Sequence, residues 1–329
     1  MKVFKYRGGS FDRDLQSLTE NFFWAPTRHD LNDPFEGLFD DSFLSFQLDA
    51  MFKFFGRTSR LDSHQASLLA SLKGLLAYVD KCGIFSLSKT PLEELLWAHY
   101  GDSHKGFCLE YDLEKLIEFD LNDYRYFDVT YSNTPQSIDF SSVCGNDPSK
   151  VLKAMLGSKS NAWEYEKEIR VVPSKSGKHH YDYRALTSVY FGARMSEDQK
   201  VLMMEKLQGR GVSYFNIVLK AGSYVLQAEE LVDKYQGVKK YMDGLAEVED
   251  HAIRELLVND KYKKYEEYLH KAAEIVRREP YCNKIELVEF SSSRGNPENP
   301  VVFVQYRRNG EKWVNHYLTI CEIDKQYKF

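Results

Sequence analysis

The chain has 329 residues, with 49 acidic against 44 basic side chains and a formal net charge of −5, so no global basic field draws it to nucleic acid or anionic lipid. Hydrophobic residues make up 43% and aromatic residues 14%, which excludes a disordered chain. The five cysteines, Cys82, Cys108, Cys144, Cys282 and Cys321, form no C-x-x-C pair, which speaks against a disulfide framework or a zinc ribbon and for a reducing, cytoplasmic setting. The opening segment MKVFKYRGGS has no apolar run of a secretory signal, and no stretch approaches the ~18–20 apolar residues of a membrane span.

In chain order, Val3 to Arg7 reads as a short strand broken by Gly8-Gly9, Asp12 to Glu20 as a helix, and Phe22 to Ala25 as a second strand. A turn-rich segment, Pro26 to Glu36, follows; its Asn-Asp-Pro favours a turn, and Phe35 is expected to anchor the loop. Helical spacing predicts two helices between Phe39 and Asp80. Cys82 to Ser88 alternates like a strand, and Thr90-Pro91 opens a helix through Leu96 to His99. Strands are expected at Gly106 to Tyr111, Tyr124 to Tyr131, Trp163 to Val172, His179 to Tyr183, Ser188 to Phe191, Tyr214 to Leu219 and Tyr224 to Leu226, with helices at Ser149 to Ser158 and Ser196 to Gln208. Because strands and helices do not alternate strictly, the fold class is α+β rather than a doubly wound parallel sheet. No Gly-rich phosphate loop of the Rossmann or P-loop kind stands at a strand-to-helix junction.

From Asp233 onward charged helix formers carry an aromatic and aliphatic stripe, which predicts a helical hairpin ended by Pro280. Three strands follow at Lys284 to Phe290, Val301 to Arg307 and Trp313 to Ile323. The expected organisation is therefore a domain over residues 1–232 and a small α+β appendage, a helical hairpin plus a three-stranded antiparallel sheet, over residues 233–329.

Three segments place polar groups where strands meet loops: Tyr6-Arg7, Ser86-Leu87-Ser88, and the run Glu164 to Arg170 with Glu166 and Glu168. Residues two apart in a strand share a face, so the two glutamates are expected to point together, as are the two serines. Paired like charges cost energy unless a cation or a cationic transition state lies beside them. Each residue also has a structural reading. Arg7 can be a salt-bridge partner, the serines can end a strand and cap the next helix, and the glutamates with Lys167 and Arg170 can form a charge ladder on an edge strand. His179 and His180 are adjacent in a predicted strand and point to opposite sides, which is against a shared metal ion. The loop between His99 and His104 reads equally as a cleft lining or as a packed aromatic corner.

The segments KYR, LNDPFE, FSLS, LLWAHYGDSHKGFCLEYD and WEYEKEIR stand in the order typical of the bacterial family of domain-of-unknown-function 2971, which the chain resembles from about residue 4 to residue 225. The family label implies no activity. The order of a first-strand arginine, a middle-strand Ser-x-Ser and a later E-x-E also resembles, more weakly, the arginine-serine-glutamate class of mono-ADP-ribosyltransferases. That second resemblance implies a split, mixed β-sheet with flanking helices around an NAD cleft. By motif position it implies that Arg7 meets a phosphate or ribose of NAD, that Ser86 and Ser88 brace the cleft, and that Glu168 holds the nicotinamide ribose. Glu166 would then activate the acceptor, and Tyr6, Trp163 or Tyr100 would stack on nicotinamide. The chain departs from the pattern with Ser-Leu-Ser in place of Ser-Thr-Ser and with a long spacing to the glutamates.

The expectation is an NAD-dependent ADP-ribosyltransferase or NAD glycohydrolase. Its partners would be NAD and a protein or nucleic-acid acceptor, with no membrane, and the resemblance implies roles as a toxin, an effector or an antiviral-defence component. A non-catalytic nucleotide-sensing or partner-binding module is the alternative. An RNA nuclease is a minor one, because it would need a basic groove that the net charge does not advertise.

Overall fold

The computed structural model describes residues 1–40, 73–118, 124–138, 149–242, 244–255, 258–308 and 312–327, with isolated positions between 42 and 71. The two helices expected between Phe39 and Asp80 lie for the most part outside the described residues. The chain divides into two compact units, Met1–Lys239 and Lys240–Phe329.

The first unit is built on an eight-stranded sheet: β1 (Lys2–Arg7), β2 (Phe85–Ser88), β3 (Phe107–Asp112), β4 (Arg125–Asp128), β5 (Glu168–Val172), β6 (Leu186–Phe191), β7 (Ser213–Leu219) and β8 (Leu226–Leu231). Their spatial order is β8-β7-β6-β3-β1-β2-β5-β4. Only β6 and β7 run parallel; the other neighbours are antiparallel. The sheet is therefore mixed and flanked by helices, as the α+β reading expects.

Its halves meet at one narrow seam. On one side β1 pairs with β3 along six residue pairs, from Lys2 with Asp112 to Arg7 with Phe107. On the other, β1 and β2 share the single pair Phe4 with Ser88. Beyond that pair no further register pair joins the two strands.

Strand alternation divides the sheet into two faces of different chemistry. Val3, Phe85, Leu87, Leu109, Ile169, Val171 and Val189 enter the main core, under helix α1 (Phe11–Thr19) with Leu15 and Leu18. Phe4, Tyr6, Cys108 and Tyr190 face the other way and pack with Trp97 of the helix α2 (Glu94–His99). That second face also carries Ser86, Ser88, Glu168 and Arg170, joined by the register Glu168 with Ser88 and Arg170 with Ser86.

Local differences from the sequence expectation have physical causes. Phe35 does not anchor its loop: its side chain is 65% exposed. The anchor is its neighbour Glu36, whose carboxylate pairs with buried Arg170. The segment from Trp163 is not extended throughout. Asn161–Glu166 forms a 3-10 turn, Lys167 adopts φ 45°, and the strand begins at Glu168. Tyr224 stands outside the strand expected at Tyr224 to Leu226, which begins at Leu226 and runs to Leu231.

The sheet of the second unit is four-stranded and mixed rather than three-stranded and antiparallel: β9 (Cys282–Phe290), β10 (Val301–Arg308) and β11 (Lys312–Thr319) pair antiparallel, and the short strand Glu247–Val248 adds to β9 in parallel at Lys284–Ile285. Where a helical hairpin is expected, the described residues hold one α-helix, α3 (Glu267–Val276), preceded by the 3-10 turn Asp260–Tyr265. Left-handed His251 and the Gly244 backbone at φ 154° interrupt the earlier part. The last strand stops at Thr319, not at Ile323. The Thr319 hydroxyl accepts from the Glu322 N–H and the Glu322 carboxylate accepts from the Thr319 N–H, which starts α4 (Ile320–Gln326). Leu269, Ala273 and Val276 of α3 pack on Ile285, Val302, Val304 and Tyr306. No helix among the described residues is long and apolar enough to cross a membrane.

Candidate functional site

A pocket of about 210 Å³ opens on the seam of the first sheet. Its floor comes from Phe4, Lys5 and Tyr6 of β1, Ser86 to Ser88 of β2, and Glu168 of β5. The turn from Asp30 to Glu36 and the segment around Lys159 and Trp163 make its walls, and Leu96 of α2 and Tyr100 just after that helix also line it.

The pocket gathers Tyr6, Ser86, Ser88, Tyr100, Trp163, Glu166 and Glu168, and leaves out Arg7. Arg7 shares a strand face with Val3 and Lys5, and its Nη1 lies 3.8 Å from Asp14 of α1. The expectation that Arg7 lines the cleft is thus corrected, and the first-strand cation that does line it is Lys5. Tyr6 is a wall rather than a free stacking surface. Its ring meets Trp97 edge-on at 5.1 Å, and its hydroxyl donates to the Thr90 carbonyl at 2.9 Å. Trp163 and Tyr100 remain half-buried at the pocket.

The two glutamates meet there although the backbone between them is not a strand. The left-handed Lys167 turns the chain, and the Ser88 hydroxyl fixes the result by donating to the Glu166 carbonyl at 2.8 Å. Lys159 lies among three carboxylates, its Nζ 2.6 Å from Glu166, 3.1 Å from Glu168 and 3.8 Å from Glu36. Arg170, fully buried, donates from Nε to Glu168 at 2.8 Å and from Nη1 to Glu36 at 2.7 Å and to the Leu156 carbonyl at 2.7 Å. These two cations are what allow like charges to sit side by side out of water.

The same surroundings push the two carboxyls in opposite directions. Burial raises the Glu166 pKa, and the neighbouring Glu168 charge adds to it, against Lys159 and the Tyr100 hydroxyl, which donates at 2.8 Å. Burial would also raise Glu168, but Arg170, Lys159 and the Ser86 hydroxyl outweigh it and hold that carboxyl low, at about 2. Glu168 is therefore a fixed anion, while Glu166 can exchange a proton nearer neutrality.

Lys5 is the second unusual group. Its ammonium donates to the Ser86 carbonyl at 2.7 Å and lies 5.0 Å from the centre of the Phe85 ring. Burial, reinforced by the like charge of Arg7, lowers its pKa from 10.5 to about 7. The unfolded chain then binds more protons between about pH 7 and 10.5, so this group makes stability rise with pH across that window. Lys5→Met is expected to flatten that rise and to be more stable than wild type at pH 6. Urea unfolding at pH 6 and pH 9 checks this, and a variant less stable at pH 6 would contradict it.

Sequence reasoning missed Lys159, Glu36 and Lys5. No motif marks the first, and the second sits in LNDPFE beside the more conspicuous Phe35. Lys5 stands two positions before the arginine that the motif singles out. His104 stacks on Trp97 at 6.1 Å, and His99, itself exposed, meets Tyr165 edge-on at 6.2 Å.

Residues 96–171 match the family model described as "Protein of unknown function (DUF2971)". That span carries nearly all of the LLWAHYGDSHKGFCLEYD segment and the WEYEKEIR block, and so it holds Tyr100, Lys159, Trp163, Glu166, Glu168 and Arg170. The resemblance to this family expected from the motifs is borne out there. No curated protein and no solved structure matches the chain.

Proposed function

We propose that the seam pocket breaks the bond between ribose and nicotinamide in NAD and passes ADP-ribose to water or to a macromolecular acceptor. The observation that carries this reading is the pair Glu166 and Glu168, facing one pocket with their protonation pushed apart. The chemistry asks for that division. Nicotinamide leaves NAD with the bonding electron pair and becomes neutral, so no acid is needed to help it depart. The ribose left behind develops oxocarbenium character, which a permanently ionised carboxylate stabilises. The attacking hydroxyl must lose one proton, and a carboxylate of raised pKa is suited to take it. Glu168 fits the first task and Glu166 the second. Trp163 and Tyr100 supply aromatic faces for the cationic pyridinium ring.

The test is nicotinamide release from NAD by the purified full chain, with and without cell lysate. Release by the protein alone supports hydrolysis, and an ADP-ribosylated product formed only with lysate supports transfer. NAD binding without release in either condition would overturn the catalytic reading.

One observation favours a second reading, a pocket that holds a nucleotide without reacting. Both oxygens of Glu168 are already engaged, Oε1 by Arg170 and Oε2 by Lys159. On that reading Glu168→Gln changes stability and leaves the protein's biological effect intact.

A further inference from the structure

We propose that a second pocket, adjoining the first across Asp33 and Lys159, is the other half of one bipartite ligand site and takes the nucleoside end of a dinucleotide. The naming of the dinucleotide as NAD rests on the proposed function; the two-part geometry does not. The second pocket measures about 240 Å³ and shares Asp33 and Lys159 with the first. Each pocket alone is smaller than the roughly 300–1,000 Å³ of ordinary ligand sites, and the two together fall inside that range.

The lobes differ in chemistry. The first holds the carboxylates and cations of the reacting centre. In the second, Asp33 and Lys159 at the seam are the charged members of the lining. Phe35 and Leu38 supply its large apolar side chains, and Ser132, Asn133, Thr134 and Ser160 supply neutral polar groups. A neutral ring with an apolar face and hydrogen-bonding edges suits that lining, and a nucleobase on its ribose has this character.

Phe35 is presented as a stacking surface rather than left loose. Its N–H donates to the Asp33 carboxylate at 2.9 Å, and the Glu36 N–H donates to the Asp33 carbonyl at 3.1 Å. The next residue is tied to buried Arg170 by its carboxylate. The backbone is thus braced on both sides of a side chain that is 65% exposed, so little ordering is left to oppose stacking. The Ser132 segment of the lining is tied to the same centre, because the Ser132 N–H donates to the Lys159 carbonyl at 2.9 Å and Thr130–Tyr131 pairs with Ser158–Lys159.

The test uses the full chain and two probes, ADP-ribose, which spans both lobes, and ribose 5-phosphate, which fills one. Calorimetry is expected to give ADP-ribose an advantage of roughly tenfold or more, the size of one base–aromatic stack. Phe35→Ala should abolish that advantage and leave ribose 5-phosphate binding unchanged, while Phe35→Trp should retain it. Because Phe35 is exposed, neither change disturbs the core. An unchanged ratio in Phe35→Ala, no advantage in wild type, or no binding of either probe overturns the proposal. Wild type that shows the Phe35-dependent advantage but releases no nicotinamide upholds the bipartite site and sinks the catalytic reading alone.

Discussion

Glu168→Gln is expected to slow nicotinamide release from NAD by on the order of a thousandfold while weakening ADP-ribose binding only a few-fold. The substitution keeps size and shape and removes one charge. In the ground state the ribose is neutral and gains little from Glu168. On the proposed reading it becomes cationic in the transition state, where a preorganised carboxylate contributes more than it does in the ground state. Because Arg170 and Lys159 also lose their counter-charge, the variant is expected to be less stable as well. Rates are therefore compared per folded molecule, with folding followed by circular dichroism at the assay temperature. Equal rates for the two folded proteins would remove Glu168 from the chemistry and favour the binding-module reading.

Arg170→Met should destabilise the first unit by about 3–5 kcal/mol, the usual cost of breaking one partner out of a buried ion cluster. The guanidinium has no exposed surface and ties Glu168 of its own strand to Glu36, which lies 134 positions away in the sequence. Methionine fills much of the volume but leaves three buried carboxylates, Glu36, Glu166 and Glu168, to share Lys159. Urea unfolding of Arg170→Met, of Glu36→Gln and of the double variant separates the parts. The double change is expected to cost clearly less than the sum of the singles, because the second substitution removes a charge that the first has stranded. Strict additivity would show that Arg170 and Glu36 do not act as one pair.

The degree to which this site was legible in the sequence follows the range of the interactions involved. Ser86-x-Ser88 and Glu166-x-Glu168 carry their own short-range signal, and the structure brings all four to one pocket. The face used by β1 was not legible. In KVFKYR Lys5 and Arg7 share a face with Val3, and Val3 belongs to the core, so the arginine that the motif singles out turns toward Asp14. The pocket instead takes the Phe4 and Tyr6 side together with Lys5, which stands just beyond the single β1–β2 pair. Glu36 and Lys159 owe their importance to contacts across the fold, Glu36 to Arg170 and Lys159 to the Glu36–Glu168 pair. The helix-rich composition between Asp233 and Glu279 overstated the helix, because turns at Gly244 and His251 divide the segment before α3 can form.

The most direct test is a carbon-13 titration of the Glu166 and Glu168 side-chain carboxyls in the full chain, assigned with the two glutamine variants and read beside nicotinamide release at the same pH values. One carboxyl should titrate well below the ordinary glutamate range and the other above it, and release should rise with pH as the second loses its proton. Two carboxyls titrating together near the ordinary value, with release indifferent to both, would contradict the account.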